Sequence, residues 1–227
     1  MFRKFRELFS SENLLDEAYN TTVTMLEFDY KMYDASRGTL RESDTDELPF
    51  DIRKTDRKIN KYEREVRRKV LTHLTVAGTQ NLVPGLMLVS IVIDVERIGD
   101  YTKNIADLAT RHKQMLKGGK CETTLASVEE TIEQNFPKVI EVLKTQDKAR
   151  AREVMQAEAT VSRATDRIVY DIIAQKDRTL AVSNSVCLAM YARFLKRVNS
   201  HLTNIASSIV NPFPRIGFRE KKKSNTG

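Results

Sequence analysis

An all-α fold built from two similar three-helix bundles is what this sequence predicts, and three observations predict it. Chain breakers are scarce, with 8 Gly and 5 Pro in 227 residues, which favours long uninterrupted elements over many short strands. Apolar residues recur at spacings of three and four through six separate stretches, the signature of amphipathic helices. The second half of the chain also repeats the first at an offset of about a hundred residues, which points to a duplicated unit.

The first predicted helix runs from about Ser11 to Ser36. Ser11 is a suitable N-cap, and Leu14, Ala18, Tyr19, Met25, Met32 and Tyr33 supply its apolar side. The Gly, Ser, Asp and Pro content of Gly38 to Pro49 predicts a connection. A second helix spans about Asp51 to His73, with Ile52, Ile59, Tyr62, Val66, Val70 and Leu71 as its stripe among dense charge. The third begins near Leu82, admits Pro84 in its first turn and ends before Gly118-Gly119. Its apolar positions are Leu88, Ile91, Val92, Val95, Ile98, Thr102, Ile105, Ala106 and Ala109.

The second trio follows. Leu125, Val128, Ile132, Phe136, Val139 and Leu143 form one stripe, with a kink or split expected at Pro137 because proline in a helix interior costs ~3 kcal/mol. Val154, Val161, Thr165, Ile168 and Ile172 form the next, over about Gln146 to Gln175. The last, from Leu188 through Tyr191, Leu195, Val198, Leu202 and Ile205 to Ile209, alternates steps of three and four as a seam helix does. Asn211-Pro212 and Pro214 stop it. The predicted organisation is a basic amphipathic segment at 1–10, one bundle at 11–118, a second at 119–211 and a basic disordered tail at 212–227.

The duplication is clearest on the third helix of each set. Asp94-Val-Glu-Arg-Ile-Gly-Asp-Tyr-Thr-Lys-Asn-Ile-Ala106 aligns with Phe194-Leu-Lys-Arg-Val-Asn-Ser-His-Leu-Thr-Asn-Ile-Ala206. Arg97 pairs with Arg197, and Asn104 with Asn204. In the first copy Glu96 and Asp100 lie four apart and so share a helix face, where like charges repel by roughly 0.2–0.5 kcal/mol. A neighbouring Arg or Lys, such as Arg97 or Lys103, or a bound cation would compensate. Asp56 and Asn60, also four apart, could bring oxygen donors from the second helix, and such hard donors suit Mg, Ca, Mn or iron.

Charge and motif content narrow the function classes. Lys and Arg total 38 against 31 Asp and Glu, a net +7 that favours anionic surfaces. No helix-turn-helix or aromatic–basic platform is evident, so specific nucleic-acid binding is not expected. Cys121 and Cys187 lack metal-ligand spacing and suggest reduced thiols in a cytoplasmic protein. No signal peptide or spanning stretch is apparent; Leu82 to Val95 is interrupted and shorter than the ~20 residues a membrane helix needs. Phe2, Arg3, Phe5 and Arg6, in a short amphipathic stretch, could contact a partner or an anionic membrane surface. His73, His112 and His201 have no Glu three residues before them, as a di-iron bundle would require, and no P-loop, zinc or nucleophile motif is present. The chain is therefore not expected to be an enzyme.

The segment Asp94 to Ala106 resembles the signature of the PhoU family, D-x-E-R-I-x-D-x-x-x-N-I-A on the third helix of each repeat. The resemblance extends over about Ser11 to Val210 in helix number, duplication and motif position. It implies a non-enzymatic, dimeric regulator of phosphate uptake and phosphate signalling. The implied partners are a phosphate ABC transporter or a sodium–phosphate cotransporter, and a sensor histidine kinase. It further implies a divalent or iron cation (Mg, Mn, Fe) at Glu96, Asp100, Asp56 and Asn60 in the first repeat, with Asn60 standing where an acid is usual. In the second repeat Lys196 and Ser200 replace the acidic pair, and Ser162 stands near a retained Glu158, so no cation is expected there. Persistence of Arg97, Arg197, Asn104 and Asn204 in both repeats implies a structural role within each bundle.

Overall fold

The structure, a computed structural model, describes residues 11–77 and 81–221. The described residues form six long helices and no strand: α1 (Ser11–Glu42), α2 (Ile52–Ala77), α3 (Leu82–Arg111), α4 (Glu122–Thr145), α5 (Lys148–Ile173) and α6 (Val182–Val210). Helices α1 to α3 pack as one trio and α4 to α6 as the other. The predicted stripes of α3 and α4 are buried in full. In α2, Ile52, Ile59, Val66 and Val70 are buried, whereas Leu71 lies at the edge of the stripe and is exposed.

Three local expectations are corrected. Helix α1 continues past Gly38 to Glu42. The penalty for a helical glycine is about 1 kcal/mol, and it is outweighed by the buried Leu40 and the anchored Arg41 in the next turn. Of the kink or split expected at Pro137, the split does not occur, and α4 runs unbroken through it. That proline faces solvent, where water can satisfy the carbonyl it leaves without a partner, while Phe136 and Val139 hold the opposite face in the core. The start of the C-terminal tail is folded rather than disordered. A single turn at Phe213–Arg215 follows α6, the Gly217 amide donates to Ser207 Oγ, and Asn211 Nδ2 donates to the carbonyls of Arg215 and Phe218. Arg152 then clasps Glu220 at 2.8 and 2.9 Å.

The two trios meet through antiparallel helix pairs. Along α1 and α4, Tyr19 bonds Leu143 and Gln146, Tyr30 stacks on Phe136, and Arg41 reaches Glu129 and Glu122. Along α3 and α6, Asp94 meets Asn204 and Tyr101 meets Arg197. The last turns of α2 and the first of α3 therefore lie at one end of the molecule, where Lys69 pairs with Glu17. The α5–α6 turn lies at the other end, beside Lys120.

Candidate functional site

Helices α2 and α3 run as antiparallel neighbours, brought close where Gly85 packs on Val70 and Leu74. Their i, i+4 acids consequently face one another. Lys103 Nζ donates to both carboxylate oxygens of Asp56 at 3.0 Å and to Asp100 Oδ1 at 2.8 Å. Arg97 Nη1 donates to the other oxygen of Asp100 at 3.2 Å, and its Nε lies 3.7 Å from Glu96. Asn60 turns its amide nitrogen toward Asp56 at 3.5 Å. Burial, reinforced by the Asp100 charge, raises the Glu96 pKa above its ordinary value. Burial alone would lower that of Lys103, but its bonds to Asp100 and Asp56 outweigh this and raise it.

These positions test the fit of the cation that the resemblance implies. Two of its four donors, Asp56 and Asp100, are engaged by an ammonium group. A third, Asn60, presents a donor nitrogen to Asp56. Among the described residues no three Cys, His, Asp or Glu side chains stand close enough to hold one metal ion. The arrangement fits a side-chain cation and does not fit a metal.

Beneath this ridge lies an acid that the sequence reading passed over. Asp29 of α1 is 0% exposed, and neither carboxylate oxygen has a hydrogen-bond partner. It occupies the space left by Gly99, where an added Cβ would stand 2.8 Å from Asp29 Oδ1. Burial, together with the charges of Asp56, Glu96 and Asp100, raises its pKa well above the ordinary value. The signal was its register: Asp29 sits three or four residues from Met25, Met32 and Tyr33, on the core side of α1.

The second repeat is neutralised at the matching places. Asn199 stands where Gly99 does, and Asn135 Nδ2 bonds Asn199 Oδ1 at 2.9 Å in the buried layer. Glu158 accepts from Asn199 Nδ2 at 2.6 Å, Ser200 Oγ at 3.2 Å and Thr203 Oγ1 at 3.4 Å, Thr203 replacing Lys103. Lys196 is not at the centre of this group, as its alignment with Glu96 suggested. It points to Asp166 at 2.5 Å, beside Arg193.

The paired Arg and Asn positions have unequal fates. Asn204 Nδ2 donates to Asp94 Oδ1 at 2.9 Å, and His201 Nδ1 lies 2.7 Å from the same oxygen. Arg197 lies over the Tyr101 ring and donates to its hydroxyl at 3.2 Å. Arg197 and Asn204 therefore join the two bundles rather than acting within their own. Arg97 serves the acidic ridge, and Asn104 is half-buried on α3. Phe2, Arg3, Phe5 and Arg6 lie outside the described residues.

A separate feature marks the α5–α6 end. An open groove of about 640 Å³ is lined by Ile172, Leu180, Val182, Val186, Ala189 and Met190, together with Lys120, Lys176 and Arg178 and the acids Asp171 and Asp177. Val182 is 80% exposed and Ile173, next to the groove, 71%. Large apolar side chains grouped in the open are a mark of an interaction surface. No described helix is long and apolar enough to cross a membrane.

Duplicated three-helix bundles, joined by antiparallel seams and bearing an acidic motif on α3, define a class of tandem helical-bundle proteins. The family model for the PhoU domain matches residues 22–109 and again 125–209, and the chain belongs to the PhoU family. A curated relative, the phosphate-specific transport system accessory protein PhoU homolog of Synechocystis sp., is 25% identical over 167 residues. The match covers 72% of this chain and 73% of the relative. The fold is shared with the crystal structure of PhoU from Pseudomonas aeruginosa, at a TM-score of 0.77 and 20% identity, covering 88% of this chain and 96% of that one. It is also shared with the phosphate transport system regulatory protein PhoU from Streptococcus pneumoniae, at 0.76 and 15% identity, covering 88% and 95%.

Proposed function

We propose that this protein is a non-enzymatic, cytoplasmic regulator of phosphate uptake that works by docking on a component of a phosphate transport system. Family membership supports the pathway, because the curated relative is named as an accessory protein of phosphate-specific transport. The observation that carries the mode of action is the apolar groove at the α5–α6 end. Its lining joins aliphatic side chains to basic ones (Lys120, Lys176, Arg178) and acidic ones (Asp171, Asp177), so it suits an amphipathic helix on the transporter component whose flanks carry charges of both signs. Burying Val182, Val186 and Met190 under such a helix would contribute about 25 cal/mol per Å² of apolar surface covered. Contacts with a sensor histidine kinase and with a second copy of the chain belong to the same regulatory reading.

The α2–α3 end also exposes Leu71 and Val83, a second apolar patch at the opposite end of α1, whose 32 residues span on the order of 48 Å at 1.5 Å per residue.

The test is phosphate uptake in a strain lacking the gene. Deletion is expected to change the uptake rate in phosphate-replete medium, and the wild-type chain to restore it. Val186→Glu with Met190→Glu should fold as the wild type does, judged by circular dichroism, and fail to restore uptake. Unchanged uptake on deletion would remove the pathway; full rescue by the groove variant would remove the docking mode.

A further inference from the structure

We propose that Lys103 is a tethered cation standing in for a metal ion at the first-repeat acidic ridge, so that a divalent ion binds there only by displacing it. An ammonium group has three N–H donors and no acceptor. Lys103 directs them at three carboxylate oxygens on two helices, both oxygens of Asp56 at 3.0 Å and one of Asp100 at 2.8 Å. A metal ion bridging α2 and α3 would need those same oxygens. The second oxygen of Asp100 is engaged by Arg97 at 3.2 Å, and Asn60 faces Asp56 with nitrogen rather than oxygen. Glu96 alone is left without a close hydrogen-bonded cation, and one carboxylate is a poor site for any divalent ion.

Charge leads to the same conclusion. Asp56, Glu96 and Asp100 carry three negative charges against the two positive charges of Lys103 and Arg97. The ridge is thus nearly balanced before any ion arrives. A divalent cation would have to expel the ammonium and then sit within reach of it, since the side chain is anchored on the same helix turn as Asp100. The second repeat gives the internal comparison. There Thr203 replaces Lys103 and Ser200 replaces Asp100, and the remaining Glu158 is held by neutral donors. The lysine is present where acids on both helices face one another, and absent where Glu158 on α5 faces only neutral side chains of α6.

The test is a titration of the purified full chain with Mn²⁺ alone, by calorimetry and water-proton relaxation at pH 7. Lys103→Met keeps most of the apolar stem and removes the charge; Lys103→Gln is a second variant should the first fold poorly. With the ammonium gone, the Asp56 and Asp100 carboxylates are freed to turn toward a shared ion, and we expect either variant to bind one Mn²⁺ at least tenfold more tightly than the wild type and to gain thermal stability on Mn²⁺ addition. Adding Asp56→Asn should abolish both gains. Wild-type binding as tight as that of the lysine variants would overturn the proposal. So would variants that bind no more Mn²⁺ than the wild type, or a gain that survives Asp56→Asn.

Discussion

Arg41→Ala is expected to destabilise the folded chain by about 3–5 kcal/mol, the cost of breaking a buried ion pair from one side. Arg41 Nε donates to Glu129 at 2.8 Å, and the two side chains are only 9% and 8% exposed. Its other nitrogens donate to the Leu116 carbonyl and to Glu122. One guanidinium therefore ties α1 to α4 and pins the connection between the two repeats. Removing it leaves Glu129 buried with the Tyr191 hydroxyl, at 2.7 Å, as its remaining close donor. A charge stranded in that way costs more than the pair contributes. Urea denaturation followed by circular dichroism reads the effect. Arg53→Ala is the control: its partner Asp107 lies at 2.6 Å, but the pair is 61% and 37% exposed, and such surface pairs contribute roughly 0–1 kcal/mol. Equal losses for the two variants would mean that the Arg41 cluster does not join the repeats.

The second large effect has the opposite sign. Asp29→Asn is expected to stabilise the protein at neutral pH. Asp29 has an ordinary pKa of 3.8 and is raised well above it by burial and by the neighbouring acids. Between its unfolded and folded pKa values the folded chain keeps a proton that the unfolded chain has lost. Stability therefore falls as pH rises through that window, by about 1.4 kcal/mol per pH unit. An amide of the same shape does not titrate and is spared this loss. Denaturation midpoints of wild type and variant should nearly coincide at pH 4 and separate as pH increases, with the variant the more stable. The second repeat already has this solution in Asn135. A variant less stable than the wild type at pH 7 would show that the buried carboxylate gains more from its surroundings than it loses.

The helices could be read from the chain because each buries one regular stripe, and the duplication could be read because Arg97-to-Ala106 and Arg197-to-Ala206 keep their spacing. Gly38 and Pro137 were misleading for a shared reason. Each acts through local backbone preference, and tertiary anchors in the neighbouring turn decide the outcome: Arg41 beyond the glycine, Phe136 and Val139 beside the proline. Leu71 followed the stripe yet lies outside the core, because the stripe is wider than the contact at that end of α2. The acidic ridge was legible as four positions and as a choice between a side-chain cation and an ion. Only side-chain geometry distinguishes them, by placing Lys103 Nζ between Asp56 and Asp100. Arg197 and Asn204 reach the other bundle because α3 and α6 run antiparallel, and no sequence spacing encodes which helix lies opposite. The groove at the α5–α6 end likewise depends on how far α6 extends beyond the core, which the stripe from Leu188 to Ile209 does not reveal.

The docking claim is tested most directly by a photo-reactive amino acid placed at position 186 and irradiated in living cells. A covalent adduct between this chain and a component of a phosphate transport system is expected, lost when Met190 is changed to Glu. An adduct lacking any such component, or one that forms equally well with the groove charged, would contradict it.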